Sequence, residues 1–253
     1  MNDFARKLSD IGYCHVANFF KMDFIDKINN RIDEYLSAKH DGIAYETGSK
    51  VVRAIHGPHL FDDFFLDLAK NSIMLKLAKE VLNDEVYIHQ YKINMKLAME
   101  GKSWPWHQDY IYWNINDFID KPNLLNIAVA LDDISLLHGP LCFVPGSHKF
   151  GDLTDIKKLT TKHDWRGDVS SDLTYQISQA TMADLLKNNG FEFIPANAGD
   201  IIAFDPQLVH CSSNNMSAGD RKLMIITMNA VGNAPKQKSS RPSFLSATNY
   251  TAL

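Results

Sequence analysis

A succession of short β-like runs from Val86 onward restricts the fold more than any other feature of this chain. VYIHQYKINMKLA, WPWHQDYIYW, LLNIAVALDDI, GPLCFVPGSHKF, FEFIPANAGDIIAFDP, LVHCSSN and RKLMIITMNAV are rich in β-branched and aromatic residues. Gly, Pro, Asn and Asp turns punctuate them. Strands at such intervals predict a sandwich or barrel and not alternating βα units. Upstream, the texture is helical. Phe4, Leu8 and Ile11 have helical spacing, and GYCHVANFF then reads as a strand. Phe24, Ile25, Ile28, Ile32, Tyr35 and Leu36 repeat with the period of an amphipathic helix. Phe61 to Leu82 predicts one helix, or two broken near Asn71-Ser72, either of which can serve as an N-cap. The expected class is α+β with a β core.

The chain has 253 residues, 45% of them apolar, enough for one large domain. A net charge of −4 without any basic block argues against nucleic acid as a partner. Cys14, Cys142 and Cys211 match neither a disulfide framework nor a zinc-finger spacing, which points to a reducing compartment. The N-terminus lacks the apolar region of a signal peptide, and no apolar run approaches the roughly 20 residues that cross a bilayer. A cytoplasmic protein without membrane contact, as monomer or homodimer, is expected.

Ten histidines are present, so one pairing needs more than proximity. His107 and Asp109 stand two apart in WPWHQDYIYW. If that segment is a strand, both side chains leave the same face, framed by aromatic rings. A buried Asp is costly unless paired or bound to a metal. A further His, His210, lies in the comparable run LVHCSS. Two imidazoles and one carboxylate on one side of a metal form the facial triad of non-haem Fe(II) oxygenases. The co-substrate of that class is usually 2-oxoglutarate, whose far carboxylate calls for a cation, best the bidentate fork of Arg. Arg221 heads RKLMIITMNAV after the turn SSNNMSAGD and is expected on a strand neighbouring that of His210.

Together these residues resemble the phytanoyl-CoA dioxygenase-like family of Fe(II)/2-oxoglutarate oxygenases, from about Val86 to the C-terminus. HGPLCFVPGSHKFG and RPSFLSATNYT are similar to segments of that family. The branch most alike hydroxylates ectoine or free amino acids: the positions of Gln90, Lys96, Trp104 and Trp113 around His107, and of Arg221 after His210, follow its pattern. The resemblance implies a double-stranded β-helix, a jelly-roll or cupin-like barrel with the N-terminal helices packed on one sheet. One domain would span 1–253, with helical support over 1–85, a core over about 86–231 and an extension over 232–253. It implies Fe(II), 2-oxoglutarate and O2 as cofactor and co-substrates, with ascorbate as reductant in vitro.

The resemblance also assigns roles. His107, Asp109 and His210 hold iron. Arg221 and Trp104 hold 2-oxoglutarate, with Ser212, Lys96 and Asn126 as further candidates. Gln90, Trp113, Tyr112 and Ile225 line the substrate pocket. Two departures bear on the substrate: Tyr112 stands where the ectoine enzymes have Thr, and Met224, Ile225 and Ile226 stand where they have aromatics. Asp109 is present, where related halogenases carry Ala or Gly, so hydroxylation is expected over chlorination. The expected substrate is a small polar molecule, a free amino acid or a derivative used in specialised metabolism. The alternatives are a larger or carrier-bound substrate, including desaturation or cyclisation, and a non-catalytic cupin-like metal-binding domain. His148 is read as structural, Asp205 as a turn residue, the pair Asp132-Asp133 as a strand end, and Cys211 as core.

Overall fold

The computed structural model describes residues 3–154 and 165–253. Their order is α1 (Asp3–Ile11), β1 (Tyr13–Val16), α2 (Met22–Ser37), β2 (Ile43–Tyr45), β3 (Val52–His56), α3 (Asp63–Ala69), α4 (Ser72–Leu82), β4 (Val86–Lys96), β5 (Trp104–His107) and α5 (Tyr110–Asp117). Then come β6 (Leu124–Ala130), β7 (Leu141–Phe143), α6 (Gln179–Asn189), β8 (Glu192–Ile194), β9 (Ile201–Phe204), β10 (His210–Ser212) and β11 (Arg221–Ala230). The chain is α+β, and its strands form two antiparallel sheets. One has seven strands in the order β1-β9-β6-β11-β4-β3-β2, the other four in the order β5-β10-β7-β8.

The alternation of side chains along β11 decides what each face of the large sheet meets. Met224, Ile226 and Met228 pack with α2 and α4 in the main core. Leu223 and Ile225 point the other way, against Leu141, Phe143 and Ile194 of the small sheet. A single-residue slip would exchange the two sets. The helices supply the outer layer because their apolar stripes need cover: α2 buries Ile25, Ile28, Ile32 and Tyr35, and α4 buries Met74, Ala78 and Leu82. Each buried Ile, Leu or Met side chain among them contributes about 1.5–3 kcal/mol. The break between α3 and α4 falls at Asn71, whose side chain accepts from the Ile73 and Met74 amides.

Three expectations are corrected. The segment WPWHQDYIYW is not one strand: β5 ends at His107, and Asp109 stands at the head of α5 with helical backbone angles. His210 and Arg221 are not on neighbouring strands, because β10 and β11 belong to different sheets. The first 85 residues are more than helical support, since β1 forms one edge of the large sheet and β2 and β3 the other. The thiols are free, and Cys211 stands half-buried opposite Cys142 across β10 and β7. Among the described residues, no helix is long and apolar enough to cross a membrane.

Candidate metal centre and its cavity

Antiparallel pairing of β5 with β10 puts His107 directly opposite His210, with ring centroids 4.1 Å apart. The chain then turns into α5 and brings Asp109 back over both rings. Its Oδ1 lies 3.7 Å from His107 Nε2 and its Oδ2 lies 3.9 Å from His210 Nε2. One ligand atom from each residue falls within 4.8 Å of the others, and all three residues are buried.

Both imidazoles are oriented by their own backbones. The Nδ1 of His107 is 2.7 Å from the Pro105 carbonyl, and the Nδ1 of His210 is 2.9 Å from that of Leu208. Those carbonyls accept the Nδ1 proton, which leaves each Nε2 a lone pair directed at the third residue. Burial, then the neighbouring His210, pushes the His107 pKa down to about 3, and burial also lowers that of His210. For Asp109, burial opposes ionisation, but Lys92, His210, His107 and a bond from Asn126 outweigh it and hold the carboxyl at about 2. Neutral imidazoles beside an ionised carboxylate are the protonation states a divalent cation requires.

Asn126 and Lys92 set the carboxylate. The Asn126 amide donates to Asp109 Oδ2 over 2.9 Å and accepts from Thr227 Oγ1 over 2.7 Å. The Lys92 ammonium lies 3.5 Å from Asp109 Oδ1.

The cluster opens on a cavity between the sheets. Along the β4–β11 ladder its wall runs from Arg221 at one end, through Leu223 with Asn94 and Ile225 with Lys92, to Gln90 at the other, and Trp104, Ser212, His56, Tyr112, Trp113, Asp168 and Arg241 line it too. Arg221 is 1% exposed, lies fully inside the protein, and has no ion-pair partner among the described residues. Its Nη2 donates to the Gly139 carbonyl over 2.7 Å, while Nε lacks a hydrogen-bond partner among the described residues. Burial lowers its pKa to about 10, so it remains a cation at neutral pH. Gly139 is needed there: it adopts a φ of 66°, and a Cβ would meet the Ser213 carbonyl at 2.3 Å. The Trp104 indole N–H and Asn94 Oδ1 also lack partners among the described residues. The Arg53 guanidinium, ion-paired to Glu46, lies 3.8 Å above the Trp104 ring and fixes it. A buried guanidinium without a carboxylate is costly, and a dicarboxylate entering this end would supply the missing charge.

Sequence reasoning placed Gln90, Trp104, Tyr112, Trp113, Ser212, Arg221 and Ile225 at one site, and all of them line this cavity. Met224 and Ile226 do not, because they face the helices. Two residues are corrected. Asn126, expected at the dicarboxylate, is instead bonded to Asp109. Lys96, expected there too, is buried with its side-chain nitrogen donating to the Ser213 carbonyl. Sequence reasoning missed Lys92, Asn94, His56, Asp168 and Arg241. The first two carried a signal, since Gln90, Lys92, Asn94 and Lys96 alternate in VYIHQYKINMK and therefore share one face.

His148 and the acidic residues outside the site take structural roles. His148 lies 3.2 Å from the Ser9 carbonyl, Asp205 accepts from the Gln207 amide, and Asp132 and Asp133 accept from the Lys222 and Ala198 amides.

Comparison with known proteins agrees with this chemistry. The chain is 37% identical to L-proline trans-4-hydroxylase of Streptomyces griseoviridis over 231 residues, covering 90% of this chain and 86% of the relative. It is 27% identical to ectoine dioxygenase of Sphingopyxis alaskensis over 242 residues, covering 92% and 78%. The solved structure of EctD from S. alaskensis with bound Fe superposes with a TM-score of 0.82 at 25% identity, covering 98% of this chain and 84% of that one. The model of the family described as phytanoyl-CoA dioxygenase (PhyH) matches residues 8–223, and the chain belongs to that family.

Proposed function

We propose that this chain is an Fe(II)- and 2-oxoglutarate-dependent dioxygenase that hydroxylates an unactivated C–H bond of a free amino acid or a close derivative, releasing succinate and CO2. One observation carries the reading: a buried cluster of His107, Asp109 and His210 shares a cavity with a buried Arg221 that has no ion-pair partner among the described residues. Bound Fe(II), with O2 and 2-oxoglutarate, supplies the oxidising power that puts an oxygen atom on the substrate. His107 and His210 would hold the ion through Nε2, and Asp109 through its carboxylate. Arg221 would take the far carboxylate of 2-oxoglutarate, with Trp104, Asn94 and Ser212 around it.

The rest of the cavity wall suits a zwitterion. Gln90, Tyr112, Trp113 and Ile225 give it a mixed wall, and Lys92, Arg241 and Asp168 bring both signs of charge. Trp113 and Tyr112 are almost fully buried, so a bound substrate is screened from water on that side. Asp109 favours hydroxylation over chlorination. The name of the 37% identical relative makes L-proline the first substrate to test. The two facing sheets are read as a double-stranded β-helix, and the 253 residues as one domain. Three free thiols suit a reducing, cytoplasmic setting.

The test is turnover. Purified protein with Fe(II), ascorbate, 2-oxoglutarate and O2 is given a panel of free amino acids, and succinate is measured. Succinate formation that depends on one amino acid is the expected result. Absence of succinate with every small molecule would contradict the reading.

A further inference from the structure

One imidazole on the cavity wall has neither of its nitrogens bonded by the described residues. His56 ends β3, is 2% exposed and lines the cavity, yet neither Nδ1 nor Nε2 has a hydrogen-bond partner among the described residues. Its neighbours on that wall are engaged. The Gln90 amide donates to the Leu245 carbonyl over 2.9 Å. Arg241 is held by Asp117 and lies 3.6 Å from Asp168. The Tyr112 hydroxyl bonds the Tyr175 backbone. The described residues leave both ring nitrogens free to bond a ligand that enters the cavity.

The surroundings select the ligand. His56 pairs in register with Lys92 on β4, and the Lys92 ammonium reaches Asp109 of the metal cluster. His56 therefore stands on the strand next to the one whose Lys92 reaches the cluster. Burial, then the cations Lys92, Arg241 and Arg53, keep the ring neutral, with its pKa pushed down to about 3. A neutral imidazole offers one N–H donor. That donor calls for an acceptor, and of the two charged groups of an amino acid only the carboxylate accepts a hydrogen bond.

We propose that His56 is a specificity-determining residue whose ring N–H donates to a carboxylate oxygen of the amino-acid substrate. The inference deepens the amino-acid hydroxylase reading above and rests on it.

The experiment compares wild type, His56→Phe and His56→Gln with L-proline and L-prolinamide as probes. It reads KM and kcat for each probe, KM for 2-oxoglutarate, and calorimetric binding of each probe to the anaerobic Fe(II)·2-oxoglutarate protein. One hydrogen bond to a charged group corresponds to a factor of roughly 10 to 100. His56→Phe is expected to raise KM and Kd for L-proline by about that factor, while KM for 2-oxoglutarate stays as in wild type. Wild type is expected to bind L-proline better than L-prolinamide, and His56→Phe to lose most of that preference. His56→Gln, which keeps an N–H donor, is expected to recover part of it. An unchanged KM for L-proline in His56→Phe overturns the proposal while leaving the hydroxylase reading intact. If the Phe variant does not fold, the wild-type comparison decides, and equal affinity for the two probes overturns the proposal. Wild type without turnover on any amino acid overturns the underlying reading and the proposal with it.

Discussion

Asn126 on β6 donates a hydrogen bond of 2.9 Å to Asp109 Oδ2 at the head of α5, and so ties the large sheet to the carboxylate of the metal cluster. Asp109 lies outside any strand, and this bond, with Lys92 near its other oxygen, holds it against the two imidazoles. Removing a partner of a metal-binding carboxylate typically costs 10- to 100-fold in metal affinity. Asn126→Ala is therefore expected to weaken Fe(II) binding by about that factor, measured by anaerobic titration. An unchanged Kd would show that Asp109 holds its place unaided.

Arg221 and the iron cluster are expected to fail differently. Arg221→Ala removes the only charged group identified for the far carboxylate of 2-oxoglutarate. The 2-oxoglutarate concentration for half-maximal succinate formation is expected to rise by about 100-fold, since losing one partner of a buried charge pair costs roughly 2–5 kcal/mol. Arg221→Lys keeps the charge but loses the planar fork, and should fall between the two. Fe(II) affinity without 2-oxoglutarate should stay near the wild-type value in both.

Metal binding should also appear as stability. A ligand at 100 times its Kd stabilises the folded state by about 2.7 kcal/mol. For a chain of this size that corresponds to a rise in Tm of about 5–10 °C. Wild type is expected to show the rise with Fe(II) or Mn(II) and lose it on chelation. Asp109→Ala, His107→Ala and His210→Ala should show no rise and no turnover. A triple variant that remained active would remove the metal centre from the chemistry altogether.

Asp117 provides a test of stability against pH. It is fully buried at the end of α5 and accepts from Arg241 Nε over 2.9 Å and from Ser239 Oγ over 2.8 Å, with His89 Nε2 at 3.1 Å. Burial alone would raise its pKa, but Arg241 and His89 outweigh it and hold it at about 2. The unfolded value is near 3.9. A depressed folded pKa contributes stability above the unfolded value and loses it as the pH falls through the folded one. Asp117→Asn is expected to cost about 3 kcal/mol at pH 7. In urea unfolding the gap to wild type should shrink between about pH 4 and pH 2. A gap that is constant with pH would contradict the assignment.

Where residues repeat regularly over a long run, the sequence could be read. The spacing of Ile25, Ile28, Ile32 and Tyr35 lies in one helix, as expected, and the Asn71 cap falls at the expected break. The strand that ends at His107 and the strand that begins at His210 also pair antiparallel. Helix α5 was hidden because Tyr110, Ile111, Tyr112 and Trp113 are all buried, so the segment has no polar face and no helical period. β2 has only three residues, too few for any periodicity. The approach of Arg221 is a matter of sheet-on-sheet packing. Its strand pairs with β4, and the side chain reaches the cavity from the sheet opposite His210. His56 and Arg241 reach the site from β3 and from the C-terminal segment, both remote in sequence from the iron cluster, and no local pattern marks His56.

The most direct test is anomalous diffraction at the iron edge from anaerobic crystals grown with Fe(II) and 2-oxoglutarate. The expected map has one peak within bonding distance of His107 Nε2, His210 Nε2 and an Asp109 oxygen, with the far carboxylate of 2-oxoglutarate against Arg221. A peak elsewhere, or 2-oxoglutarate bound away from Arg221, would contradict it.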